Sequence, residues 1–99
     1  MPRSPPWGTT LQATQSVAFT GVVAIFIDAD SGATAGDFKA TIHWGDGSTS
    51  MGTITRRLGG GFQVTGTHTY AAAGTKAVRV SIRDVGGRST TASSKVKVA

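Results

Sequence analysis

The chain has 99 residues, which is enough for one domain with a modest core. It contains no cysteine, which excludes a disulfide-stapled scaffold and any cysteine-based metal or redox site. Ten Lys and Arg residues outweigh five acidic residues, all of them Asp, and the net charge of +5 favours anionic partners. Helix formers are scarce while Thr, Val, Ser and Gly are abundant, a mixture typical of strands and turns.

The N-terminal segment, residues 1–8, holds all three prolines and is predicted to be an extended arm, which leaves residues 9–99 as the folded domain. The longest apolar run, residues 22–27, is far shorter than the roughly 20 residues that a membrane-spanning helix needs. The first residues also lack the apolar stretch of a signal peptide. We therefore expect either a domain cut from a longer exported protein or a complete small protein made in the cytoplasm.

The first long strand is predicted from about Val17 to Asp28, and its segment 22–27 is apolar on both faces. One face of a strand in an antiparallel sandwich is normally polar, so something is expected to cover the outer face. Either the arm and Leu11 cover it, or it is an interface for a protein partner or a second copy. The residues predicted for that interface are Val23, Ile25, Ile27 and Trp7.

The strand from Phe38 to Trp44 has the clearest two-residue alternation in the chain. The alternation predicts that Trp44 faces the core and His43 faces outward. Gly45-Asp46-Gly47 follows, where glycine permits positive φ and the Asp side chain can bond its own backbone. A tight turn is therefore expected directly after Trp44.

Four more strands are predicted, at about residues 50–58, 62–70, around 78–82 and around 96–98, with glycine-rich turns between them. In the last two, basic residues alternate with apolar ones and face outward. They are Arg79, Arg83, Lys95 and Lys97, which we call the basic stripe.

The basic stripe has two interpretations. It is either a solvated face whose charges discourage aggregation, or a binding surface for an anionic polymer such as a glycan or for an acidic protein surface. Nucleic acid is not expected, because no aromatic residues lie among the basic ones to stack on bases. Insertion into a membrane is not expected either.

Four short motifs follow one another at suggestive spacing. They are WGDG at 44–47, HTY at 68–70, AG at 73–74 before a Val-rich strand, and DVGG at 84–87. Together they resemble the PKD (polycystic kidney disease) domain, in the variety repeated in bacterial surface and secreted proteins. The resemblance covers about residues 17–98.

The resemblance implies an all-β, seven-stranded, two-sheet Ig-like sandwich without enzymatic activity. It also implies structural roles for three residues of the motifs. Trp44 would be the core tryptophan, Asp46 would brace the turn after its strand, and the Tyr70 hydroxyl would tie down a strand connection. The chain departs from the family at Lys76, where an aromatic is usual, and at Ile25 and Ile27, where small polar residues are usual.

Four aspartates offer a weaker prediction of a calcium site. Asp28, Asp30 and Asp37 lie in one loop, and the topology places Asp84 at the same end of the domain. Calcium takes several oxygen ligands, although the spacing is not that of an EF-hand and Asp is also a common turn residue. No other cofactor is expected.

Two histidines, His43 and His68, raise the question of catalysis. The alternation places His43 outside, Asp46 lies beyond a turn, and no G-x-S-x-G nucleophile motif occurs. The absence of Glu and Cys removes most other acids, bases and nucleophiles. The sequence therefore predicts a protein that is not an enzyme.

The leading hypothesis is a structural or adhesive module of a bacterial surface or secreted protein, acting through protein or glycan contacts. The alternative is a decoration or fibre protein on a phage particle, docking through its arm and apolar strand. A carbohydrate-binding accessory domain is a third option, but Trp7 is the one aromatic residue left for an exposed sugar platform.

Overall fold

The computed structural model describes residues 7–26, 34–57, 60–84, 86–87 and 89–99. Within these ranges the chain forms strands joined by short connections, with a single 3₁₀ turn at Ala35–Asp37. The strands are β1 (Trp7–Gly8), β2 (Thr10–Ala13), β3 (Phe19–Phe26), β4 (Phe38–His43), β5 (Thr49–Arg56), β6 (Phe62–His68), β7 (Gly74–Asp84) and β8 (Ser89–Val98).

The strands form the two layers of an Ig-like sandwich, which confirms the predicted fold class. The smaller sheet has the order β1-β3-β6-β5, and the larger sheet has the order β5-β4-β7-β8-β2. Strand β5 belongs to both, because residues 49–52 pair with β4 and residues 53–56 pair with β6. Gly52 lies at this crossing, where a Cβ would overlap the side chain of Val64.

The two short strands at the start of the described chain, β1 and β2, belong to different sheets. β1 runs antiparallel to β3, whereas β2 runs parallel to β8. Thr9, between them, donates its backbone N–H to Ser94 Oγ at 2.8 Å and its hydroxyl to the carbonyl of Val22 at 2.6 Å. This division gives eight strands in the described ranges where seven were expected, and it brings residues 7–8, assigned to the arm from the sequence, into the smaller sheet.

The core lies between the sheets and has two aromatic clusters. Phe26, Phe38 and Phe62 meet with ring centroids 4.9–5.3 Å apart. Trp44 and Tyr70 form the centre of the second cluster and are fully buried. The alternation predicted for β4, β7 and β8 is observed, since their inward positions fill the space between the clusters: Ala40, Ile42, Val78, Val80, Ile82, Val96 and Val98.

The prediction that Val23 faces a partner is wrong. Val23 has 0% of its surface exposed, and so has its neighbour Ala24. The register between β3 and β6 shifts between Val22 and Ala24, which marks a β-bulge that turns two consecutive side chains inward. The carbonyl of Val23 accepts a hydrogen bond from the buried Ser94 hydroxyl. The bulge therefore explains much of the apolar character that the sequence shows on both faces.

Candidate interaction surface

The WGDG and HTY motifs meet around the buried Trp44. The Tyr70 hydroxyl donates to the backbone carbonyl of Trp44 at 2.8 Å, and the Trp44 indole N–H donates to Ser50 Oγ at 2.9 Å. Burial, with a smaller contribution from the negative charge of Asp46, raises the pKa of Tyr70 from 10.0 to about 12. The hydroxyl joins two strands distant in sequence, which differs from the short local bond of a tyrosine corner.

The turn after Trp44 is closed by two hydrogen bonds. The N–H of Trp44 donates to the carbonyl of Ser48 at 3.0 Å, and the N–H of Ser48 donates to Asp46 Oδ1 at 3.0 Å. Gly45 and Gly47 have φ angles of 85° and 92°, which favour glycine. A Cβ on Gly45 would also overlap the carbonyl oxygen of Ala77. Asp46 thus braces the turn through its own backbone.

His68 connects this turn to the aromatic cluster. Its ring stacks on Trp44 at a centroid distance of 4.8 Å and an interplanar angle of 8°, and its Nε2 lies 2.8 Å from Asp46 Oδ2. Partial desolvation acts to raise the pKa of Asp46, but the hydrogen bonds from His68 and Ser48 and the charge of His68 outweigh it and lower the pKa. On the sequence, Asp46 was set aside as a histidine partner because it lies beyond a turn, but the fold brings it to His68 across 22 residues of chain.

This histidine–aspartate pair lacks the third component of a nucleophilic site. In the described part of the chain, Asp46 is the hydrogen-bond partner of the His68 side chain, and no hydroxyl bonds to its ring. One face of the ring is covered by Trp44, and Tyr70 meets it edge-on at 4.7 Å. The geometry is that of a packing element.

The predicted apolar interface is not assembled from the residues that the structure describes. Val23 is buried, and Ile25 is half-buried beside its backbone partner Trp7 in the smaller sheet. Ile27 and the side chain of Trp7 lie outside the described residues. Leu11 on β2 packs against the core. In the strand order, β1 is the edge strand of the smaller sheet and β2 is the edge strand of the larger sheet.

The structure describes two of the four predicted calcium ligands. Asp37 and Asp84 line one shallow groove, together with Lys39 and Arg83. Two cations beside two carboxylates oppose the binding of a further positive ion. Asp37 also accepts the backbone N–H of Thr34 at 2.8 Å. The described residues include no group of three potential ligands, and the other two predicted ligands, Asp28 and Asp30, lie outside them.

The basic stripe lies on the outer face of the larger sheet. Arg79 and Arg83 project from β7, and Lys95 and Lys97 from its partner β8, and all four side chains are exposed. In the part of the chain that the structure describes, none of the four forms an ion pair or a side-chain hydrogen bond. Arg79, Lys95 and Lys97 are therefore exposed cations without a neighbouring carboxylate in the described residues, whereas Arg83 shares a groove with Asp37 and Asp84.

Strand register adds two residues to this face that the sequence analysis did not place there. On β4, Lys39 lies opposite Arg83 and His43 lies opposite Arg79. A second shallow groove is lined by His43, Ala77, Val78, Arg79 and Ser93. Outward alternation along β4 could have suggested both residues, but their neighbours depend on the pairing of β4 with β7.

Comparisons with known proteins found similarity in structure only. No family model and no curated protein matches the sequence. Among solved structures, the PKD domain of an M14-like peptidase from a Thermoplasmatales archaeon matches with a TM-score of 0.61 and 21% sequence identity, over 96% of both chains. The chain has the fold of a PKD domain. In this PKD fold, Trp44 is the core tryptophan, and the described residues include no helix long and apolar enough to cross a membrane.

Proposed function

We propose that this PKD-fold domain is a non-catalytic interaction module, and that its working surface is the outer face of the larger sheet, which binds an anionic partner. The observation that carries the proposal is the basic stripe, whose four exposed cations have no ion-pair partner among the described residues. Such a surface attracts anions and orients them on approach.

A role in preventing aggregation explains the stripe less well. Charges that block edge-to-edge pairing belong on edge strands. Arg79 and Arg83 are on β7, which is paired on both sides, and Lys95 and Lys97 are on β8 where β2 covers its edge.

The non-catalytic part of the proposal rests on the histidines. His68 is held by Trp44 and Asp46, and exposed His43 has a cation, Arg79, as its cross-strand neighbour on β7. A general base usually needs a carboxylate or carbonyl to orient it and a nucleophile within reach. We further propose that the module works outside the cell or at its surface, as one part of a larger protein.

The test is polyanion binding to the isolated domain, measured with heparin and with poly-glutamate at low ionic strength. Amide resonances of β7 and β8 should shift, while those of β3 and β6 should not. The double variant Arg79→Gln, Lys95→Gln should bind about five- to twentyfold more weakly, since each exposed contact contributes up to about 1 kcal/mol.

The matched control removes the same charge elsewhere. Arg57→Gln with Lys76→Gln lowers the net charge by two without touching the stripe. It should retain most of the affinity. Equal losses in both double variants would mean that net charge alone attracts the polyanion, and absence of binding to either polymer would also refute the proposal.

A further inference from the structure

The stripe is a line of cations parallel to the strands. Arg83 and Arg79 come first along β7, and the line then passes to Lys95 and Lys97 on β8, which pair with Ala77 and Thr75. From Arg83 to Thr75 the strand rises by eight residues, or about 27 Å. The cations therefore follow an extended path that is only one to two strands wide.

Hydroxyl groups border this path on both strands. On β7, Ser81 lies between the two arginines, and on β8, Thr91 and Ser93 lie opposite Ser81 and Arg79. A hydroxyl both donates and accepts, so these residues can bond to the hydroxyls and ring oxygens of sugars. Cations alternating with hydroxyls match a polymer that carries acidic and hydroxyl groups together.

An acidic protein surface fits this face less well. Tight protein interfaces depend on aromatic or large apolar anchors at their centre. In the described part of the face, the one large exposed apolar side chain is Met51 on β5, which is 63% exposed and lines a groove with Ser81 and Arg83 at one end of the stripe. A single methionine at that end supplies no central anchor. A flat polar surface with a linear charge pattern favours an extended polymer.

One groove on the face is suited to a single acidic group. His43, Arg79 and Ser93 are neighbours on three adjacent strands, in one row of the register. Ala77, the next outward residue on β7, is small and leaves a depression beside them. A carboxylate or sulfate seated there would meet a guanidinium, an imidazole and a hydroxyl.

At the Arg83 end of the stripe, two aspartates limit how far an acidic polymer can bind. Asp37 and Asp84 line the groove that also contains Lys39 and Arg83. These carboxylates offset the charges of Lys39 and Arg83 and so weaken the attraction for an acidic chain at this end. Binding should therefore be strongest between Arg79 and Lys97. The path thus has a defined end near Arg83.

Resting on the proposed function, we infer that the partner is a linear acidic polysaccharide that lies along β7 and β8, with one of its carboxylate or sulfate groups held by His43, Arg79 and Ser93. The polymer contributes several acidic groups at regular intervals, which meet the cations of the stripe in turn. Its hydroxyls bond to the serine and threonine side chains between them.

The experiment uses size-defined oligosaccharides of two kinds, oligogalacturonates with carboxylates and heparin oligosaccharides with sulfates. Affinity should rise with length until the stretch from Arg79 to Lys97, which pairs with Thr75, is covered, about 14 Å along the strand, and should then level off. Poly-glutamate of equal charge should bind at least about tenfold more weakly than the better oligosaccharide, since it lacks the hydroxyls. The stronger of the two series identifies the acidic group.

Single variants test the groove. His43→Ala and Ser93→Ala should each weaken binding of the better oligosaccharide about two- to fivefold. The control is Thr49→Ala, which removes a hydroxyl from the same row at the edge strand β5 and should leave affinity unchanged.

The outcomes separate this inference from the proposed function. If poly-glutamate binds as tightly as the oligosaccharides, or if affinity does not depend on length, the polysaccharide assignment is wrong although the basic surface stands. If Arg79→Gln, Lys95→Gln binds every polyanion like the wild type, both fail together. If only His43→Ala and Ser93→Ala leave the affinity unchanged, the groove does not hold an acidic group of the polymer.

Discussion

His68 donates its Nε2–H to Asp46 across 2.8 Å, and this contact joins the turn after β4 to the end of β6. The same carboxylate braces its own turn by accepting the N–H of Ser48. One aspartate thereby fixes a local turn and a long-range strand contact, with the ring of His68 lying flat on Trp44.

This contact predicts loss of stability in acid. The folded-state pKa of Asp46 is lowered below 3.8, so its contribution is fully present above that unfolded value and is lost as the pH falls through the folded pKa. Asp46→Asn should lower the free energy of unfolding by about 1–2 kcal/mol at pH 7. Urea unfolding from pH 7 to pH 2 measures both effects.

The control for that variant is Asp37→Asn, which changes a partly exposed carboxylate in the connection before β4. It should reduce stability at pH 7 by less than Asp46→Asn. If Asp46→Asn and the wild type lose stability equally between pH 4 and pH 2, Asp46 is not the group that links folding to acid.

Tyr70 predicts the opposite behaviour in alkali. Its folded-state pKa is raised to about 12, so its contribution is present below the unfolded value of 10.0 and is lost as the pH rises from 10 toward 12. Tyr70→Phe leaves the Trp44 carbonyl without its donor and should cost about 1–3 kcal/mol at pH 7. It should also remove that alkaline loss, which chemical unfolding at pH 9 to pH 12 would reveal. An unchanged alkaline profile in the variant would assign the loss to other groups.

The two glycines of the turn should respond differently to alanine. Both have positive φ, so each substitution strains the backbone by about 1 kcal/mol. At Gly47 the added Cβ meets open space, whereas at Gly45 it overlaps the backbone of Ala77. Gly45→Ala should therefore lower the melting temperature clearly more than Gly47→Ala. Equal shifts would show that the approach of β7 to the turn is not tight.

Ser94 and Ser93 are adjacent on β8 but face opposite ways. Ser94 is buried, accepts the N–H of Thr9 and donates to the carbonyl of Val23. Ser94→Ala should cost about 1–3 kcal/mol by leaving these groups unpaired, while Ser93→Ala should be near neutral for stability. Thermal unfolding of the two variants measures the difference. If both variants lost the same amount of stability, the buried hydrogen bonds of Ser94 would not be the cause.

The sequence was most informative where strands are regular. Two-residue alternation placed Trp44 in the core and the basic stripe on one exposed face, because β4, β7 and β8 keep their period through most of their length. The bulge at Val23 broke that rule, and the groups that bond its backbone come from residue 94, far along the chain. Period alone cannot anticipate a distant hydrogen bond.

The candidate site was predictable to a similar extent. Each cation of the stripe follows from alternation within its own strand, but the row of His43, Arg79 and Ser93 follows from the register between three strands. Register depends on turn lengths and packing that short motifs do not encode. The pairing of His68 with Asp46 was set aside on the sequence and also depends on how distant segments meet.

The parallel pairing of β2 with β8 has a mechanical consequence. Four registered pairs, from Thr10 with Lys95 to Ala13 with Val98, hold the first part of the chain against the last. A pull that drags the start of β2 and the end of β8 in opposite directions acts along the strands, so the hydrogen bonds of this pair are loaded together in shear. Antiparallel neighbours pulled apart from one end would open one bond at a time. We therefore expect the parallel pair to open only at a higher force than an antiparallel pair pulled in that way.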